Sequence, residues 1–251
     1  MRQAMNETSW ESSHKWYDSI VGEKGHYYHE HVVLPSTLKL LALKQGDAVL
    51  DLGCGQGVLS RHLPVDVDYT GIDASPSLIQ QAKKRSKKSF HVADITKPLH
   101  LNLPPFSHAT LILVIQNLED HKKAIENAFR FLKPGGKLLI VMNHPCFRIA
   151  RQSSWGVDEP KKLQYRRLDL YMSSLKIPIQ TKPSAGEKSE TTWSFHHPLS
   201  TYFQALAKTG FLVATLEEWV SDKKSTGPKA RMENRSREEF PLFLALLAVK
   251  K

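Results

Sequence analysis

The sequence predicts an α/β fold, a parallel sheet wrapped by helices, and three observations carry that prediction. Short apolar runs alternate with helical stretches from residue 48 onward. A glycine turn, Asp51-Leu52-Gly53-Cys54-Gly55-Gln56-Gly57, follows the first run. Acids then stand at the ends of the second and third runs, Asp73 and Asp94.

Residues 48–52 read as a short buried strand, and 58–63 as the helix after the glycines. A second strand spans 66–73. Ser75 as cap and Pro76 in the first turn open a helix over 76–88. Its apolar side is Leu78, Ile79 and Ala82, and Lys83, Lys84, Lys87 and Lys88 form its charged face. The third strand is 89–93, and the prolines of 98–105 mark a loop. Strand four covers 108–115, the next helix 120–132, and Lys133-Pro134-Gly135-Gly136 turns the chain into strand five at 137–143. A helix at 199–209 and strands at 211–219 and 241–249 complete the sheet.

The segment between, 145–198, lacks periodic apolar runs and mixes Phe147, Trp155, Tyr165, Tyr171, Trp193 and Phe195 with Lys, Arg and Ser. Such a segment inside a compact domain reads as a binding loop or lid. The expected organisation is one domain over 1–251. It comprises N-terminal cap helices (1–44), a cofactor-binding core (45–145), a substrate-covering insertion (146–198) and a C-terminal helix with two strands (199–251).

Composition agrees with one large α/β domain. The chain has 251 residues, 41% hydrophobic and 24% charged, as a globular protein does. Residues 1–16 are polar and lack the apolar core of a secretory signal. The longest apolar runs fall short of the about 20 residues that cross a bilayer. With only Cys54 and Cys146, the sequence points to a reducing compartment, the cytoplasm. The net charge of +10 is spread over 83–88, 161–167 and 223–237, which reads as solvated surface before it reads as a nucleic-acid footprint.

Glycines at a strand-to-helix turn let the backbone fold tightly and let a ligand approach it. The spacing is G-x-G-x-G, not the G-x-G-x-x-G of a dinucleotide site, and Asp51 stands directly ahead of it. An anion there repels a pyrophosphate and favours a cation bearing an ammonium and a sulfonium, which selects S-adenosylmethionine. Asp73, about 20 residues on, suits two ribose hydroxyls, and Asp94 suits an adenine amine.

The pieces VLDLGCGQG, YTGIDASPSLIQQAK, FHVADI, LILVIQNLED and LKPGGKLLIVMNHP, over residues 48–145, resemble the ordered motifs of class I methyltransferases, specifically their small-molecule group. That resemblance implies a single Rossmann-like seven-stranded sheet of order 3-2-1-4-5-7-6, with strand 7 antiparallel and helices on both faces. It implies cofactor contacts along Asp51, Gly53, Cys54, Gly55 and Gln56, at Asp73 and Ala74, and at Asp94 and Ile95. It also puts Gln116 and Asn117, just past strand four, where the family touches cofactor or substrate.

Methyl transfer needs alignment, exclusion of water and sometimes removal of a proton. His144, leaving strand five, is the expected general base, with Gln116 and Asn117 beside it. Tyr27, Tyr28 and His29 of an aromatic N-terminal stretch, Arg148, and Trp155, Tyr171 and His196 of the insertion are the expected substrate contacts. Arg148 can pair with an acceptor carboxylate or phosphate. The imidazoles His26, His29 and His31 lack a second ligand cluster, so no metal is expected. The expected activity is methylation of an O, N or C atom of a small molecule. A tRNA or rRNA methyltransferase and a non-catalytic cofactor-binding scaffold are the alternatives.

Overall fold

The computed structural model describes residues 9–180 and 191–251. The N-terminal segment forms α1 (Ser9–Ser12), α2 (His14–Val21), a π-helical turn at His29–Val33 and α3 (Leu34–Leu41). Then come β1 (Ala48–Leu52), a single 3-10 turn at Leu59–Arg61 where a helix was expected, and β2 (Asp68–Asp73). The helix α4 (Pro76–Arg85) starts as the sequence requires: the Ser75 hydroxyl accepts from the Leu78 N–H at 3.2 Å, and Pro76 needs no partner at its first position. It stops at Arg85, short of residue 88, because Ser86 is extended.

Next are β3 (Ser89–Val92), β4 (Phe106–Ile112), a 3-10 turn at Ile115–Asn117, α5 (His121–Phe131) and β5 (Leu132–Asn143). β4 ends three residues before the expected 115, because Leu113 takes a left-handed φ of 55°. β5 begins directly at Leu132, so the Pro-Gly-Gly turn is a kink within the strand, with Gly135 at φ 74°.

The insertion is ordered into two antiparallel hairpins, β6 (Ser153–Asp158) with β7 (Leu163–Leu168), and β8 (Leu175–Gln180) with β9 (Thr191–His196). After α6 (Leu199–Thr209) and β10 (Phe211–Trp219) comes α7 (Ala230–Glu239), which the sequence reading missed, and then β11 (Phe243–Lys250). Only Ser236 of α7 is buried, so no apolar stripe marks it.

Seven strands share one sheet in the order β3-β2-β1-β4-β5-β11-β10. All neighbouring pairs from β3 to β5 are parallel, and β11 runs antiparallel to both β5 and β10. This is the order the resemblance implied. Alternation along β5 explains how both faces are covered. Leu138, Ile140 and Met142 join Ala124, Ile125 and Ala128 of α5 and Leu206 of α6 on one face. Leu139 and Val141 face the other way, against Leu41 of α3. Among the described residues, no helix is long and apolar enough to cross a membrane.

Candidate active site

A cavity of about 720 Å³ opens over the carboxyl ends of the central strands, where open α/β sheets hold ligands. On the β1–β3 flank its wall includes Gly53, Gly55, Asp73, Ala74, Asp94 and Ile95. The glycine turn is held by its neighbour strand: Gly55 N–H donates to Asp73 Oδ2 at 2.8 Å, and Ser75 N–H donates to Oδ1 at 2.9 Å. Gly53 has φ 79°, and a Cβ there would collide with Val114, so only glycine fits. Asp94 Oδ1 accepts from the Thr96 N–H at 2.9 Å and its hydroxyl at 2.6 Å.

Asp51, Cys54 and Gln56, expected to touch the cofactor, lie behind this wall. Asp51 is buried beneath the turn, where Tyr69 donates to Oδ2 and Thr110 to Oδ1, both at 2.7 Å. Burial pushes its pKa up to about 6, with Asp73 adding to the rise and the two hydroxyls opposing it. Asp73 is likewise raised by burial and by Glu11, while the backbone donors oppose this. Neither acid has an ion-pair partner among the described residues. Negative potential thus collects around Asp51 and Asp73, while Asp94 pairs with Lys97 at 3.5 Å.

Gln56 serves as a clasp. Its Nε2 donates to the Gly22 carbonyl at 2.5 Å, and its Oε1 accepts from Arg61 Nη2 at 2.7 Å. Two more ties fasten the N-terminal helices over the cavity. Glu11 accepts from the hydroxyls of Ser75 and Ser77 at the start of α4, and Asp18 pairs with Arg85 at 2.5 and 2.9 Å. Trp10, Trp16 and Tyr17 thereby become wall residues. Tyr17 stands 3.3 Å from where a Cβ on Gly55 would be.

Between the flanks, the segment after β4 contributes Gln116 and Asn117. Gln116 Nε2 donates to the Leu113 carbonyl at 2.8 Å, and its Oε1 is buried with no partner. Asn117 Nδ2 donates to the same carbonyl at 3.2 Å.

The β5–β11 flank carries His26, Tyr28, His29, Asn143, Arg148 and Phe243. His29 is 5% exposed, and its Nδ1 has no hydrogen-bond partner. Burial, with the neighbouring His26, lowers its pKa to about 3, so it stays neutral. The ring of His26 lies 4.2 Å from that of His29, and its Nδ1 accepts from the Tyr28 N–H at 3.1 Å. The second hairpin roofs the cavity with Lys176, Trp193 and Phe195, and β9 packs on α1 and on the Ile115–Asn117 turn.

Several expected acceptor-side residues lie elsewhere. His144 is 1% exposed and outside the cavity wall. Its Nδ1 accepts from the Cys146 N–H at 3.1 Å, so Nε2 carries the proton and donates it to Glu218 at 2.7 Å. With both nitrogens engaged in these bonds, its ring offers no free lone pair to the cavity. Its neighbour Asn143 is the wall residue, since successive residues leaving a strand face opposite ways. Tyr27 donates outward to Asp222 at 3.0 Å and stacks on His31 at 4.4 Å. Trp155 packs on Phe240 at 5.4 Å, away from the cavity. Tyr171 and His196 are struts: the Tyr171 hydroxyl accepts from the Leu199 N–H at 3.1 Å, and its carbonyl meets His196 Nε2 at 2.8 Å.

Trp10, Lys176 and Phe243 are wall residues that sequence reasoning did not single out. Phe243 was legible only as one apolar residue within the last strand, and nothing in the sequence shows that it pairs with Asn143.

A doubly wound sheet with β11 antiparallel, a bent glycine turn and the acids Asp73 and Asp94 at one rim defines the class I methyltransferase architecture. A model of the methyltransferase domain matches residues 25–215, and the chain belongs to that family. It is 31% identical over 153 residues to the 2-phytyl-1,4-naphtoquinone methyltransferase of Nostoc punctiforme, covering 57% of this chain and 60% of the relative. It is 32% identical over 111 residues to the demethylmenaquinone methyltransferase of Tropheryma whipplei, covering 43% and 46%. The ubiquinone biosynthesis O-methyltransferase of Coxiella burnetii is 32% identical over 117 residues, covering 43% and 50%. The matches thus span about half the length of these relatives. In fold the chain is similar to an S-adenosylmethionine-dependent methyltransferase from Mesorhizobium loti, with a TM-score of 0.67 and 23% identity over 88% of this chain and 99% of that one. It is also similar to one from Clostridium acetobutylicum, with a TM-score of 0.61 and 16% identity over 96% and 98%.

Proposed function

We propose that this chain is an enzyme that methylates an O, N or C atom of a small, ring-bearing molecule with S-adenosylmethionine as donor. The carrying observation is one continuous cavity that joins an acidic flank to an aromatic one. The acids fit the donor: Asp73 opposes the ionisation of Asp51 and Glu11 that of Asp73, with neither aspartate in an ion pair among the described residues, so a bound sulfonium with an ammonium would relieve the repulsion and favour their charged forms. Gly53, Gly55, Asp73, Ala74, Asp94 and Ile95 would hold it, and Gln116 lines the same space. When bound, the donor supplies a methyl group activated by positive sulfur.

The protein's own task is alignment and dryness. Trp10, Trp16, Trp193 and Phe195 exclude water, which strengthens every electrostatic contact beneath them. His29 accepts a hydrogen bond from the acceptor and so turns a lone pair towards the methyl; at its low basicity it orients the acceptor without holding the proton. Asn117 and Asn143 flank the same space. The relatives named as naphtoquinone and demethylmenaquinone methyltransferases support an apolar ring as acceptor. Two thiols outside any disulfide, Cys54 and Cys146, accord with a cytoplasmic setting.

The test is transfer of a labelled methyl group to a metabolite extract. Label in small molecules that survives nuclease treatment is expected, and loss of label on nuclease treatment overturns the reading in favour of RNA.

A further inference from the structure

The acceptor flank holds a cation without an anion. Arg148, on the segment leaving β5, lines the cavity. Its Nη1 donates to Asn143 Oδ1 at 3.0 Å and to the Leu242 carbonyl at 3.5 Å, and its guanidinium carbon lies 5.4 Å from the centre of the Phe243 ring. All three partners are neutral. Glu218 is committed to His144 and Asp222 to Tyr27, and no acid is among the groups that act on Arg148. The ionisable groups that act on Arg148 are Tyr28 and Arg166, and burial pulls its pKa down. Burying an unpaired guanidinium is costly, and an incoming anion relieves that cost.

We propose that Arg148 anchors a carboxylate of the acceptor, so that the substrate is a flat aromatic acid. The assignment rests on the methyl-transfer reading above. A guanidinium presents a planar fork that matches a carboxylate, and Nε and Nη2 form no hydrogen bond among the described residues. One uncompensated positive charge balances one negative charge. A phosphate dianion would bring surplus charge against the lone pairs of Asn143 Oδ1 and the Leu242 carbonyl. Aromatic walls at Tyr28, Phe243, Trp193 and Phe195 suit a flat body. Lys176 does not duplicate the anchor, because Glu119 already pairs with its Nζ at 3.2 Å.

The test compares 2-naphthoate with neutral 2-naphthamide by calorimetry, on the full chain saturated with S-adenosylhomocysteine. The acid is expected to bind at least about tenfold more tightly than the amide. Arg148→Met is expected to erase that preference while leaving S-adenosylhomocysteine affinity unchanged, and Arg148→Lys to keep part of it. Equal binding, tighter binding of the amide, or no binding of the acid overturns the proposal on the wild-type protein alone, whatever the variants do. Wild-type protein that fails to bind S-adenosylhomocysteine overturns the methyl-transfer reading, and this assignment with it.

Discussion

Gly55 donates its backbone N–H to Asp73 Oδ2 at 2.8 Å, so the turn after β1 and the acid ending β2 hold one another in place. Both also line the cavity. Asp73→Asn keeps the shape and removes the charge. Calorimetry is expected to show S-adenosylhomocysteine binding weakened by about 1.5–3 kcal/mol, the worth of hydrogen bonds to a charged group. Unchanged affinity would place the ligand elsewhere.

Gln56 acts differently, since its side chain joins Gly22 to Arg61 behind the wall. Gln56→Ala is expected to lower stability by about 1–2 kcal/mol in denaturant unfolding. Ligand affinity should fall less than in Asp73→Asn; an equal or larger fall would make Gln56 a ligand contact.

His29 and His144 are expected to separate cleanly. His29→Leu removes an imidazole whose Nδ1 is buried and unpartnered, so stability should hold while turnover drops by about tenfold or more. His144→Gln breaks the bond to Glu218 and should lower stability while turnover per folded molecule stays within about twofold. The reverse pattern in steady-state rates and melting curves would restore His144 as the base.

Acid should destabilise the fold through His121. This residue is 3% exposed, both its ring nitrogens lack partners, and His197 lies 4.6 Å away between ring centres. Burial, aided by His197, lowers its pKa to about 4. Between that value and about 6.5, the unfolded chain binds a proton that the folded chain refuses. Stability is therefore complete above the window and falls as pH drops through it, by on the order of 3 kcal/mol. His29, lowered to about 3, adds a parallel loss that begins at the same upper limit and continues to about 3. Because His29 titrates across the same range, His121→Phe should make the fall in melting temperature between about pH 6.5 and 4 shallower without abolishing it; an unaltered slope would contradict this origin.

The sheet was legible because its strands are buried on both faces and read as unbroken apolar runs, as in β5 and β11. The acids Asp73 and Asp94 were legible because strand ends fix their place. The two hairpins were not, since residues such as Trp155, Tyr165 and Arg167 are exposed and leave no alternation to read. Asn143 and His144 show the limit most sharply. The sequence put a polar pair at the end of strand five, but which of the two faces the cavity depends on the antiparallel pairing with β11, more than ninety residues away.

β4 separates the β1–β3 flank, with Asp73 and Asp94, from the β5–β11 flank, with Asn143 and Phe243. On the proposed function, substitutions that alter what is modified would fall on one side of a single strand, and the seat for the methyl source on the other side would not need to change. Related chains can thus diverge in their chosen targets while keeping one inherited way of holding the reagent.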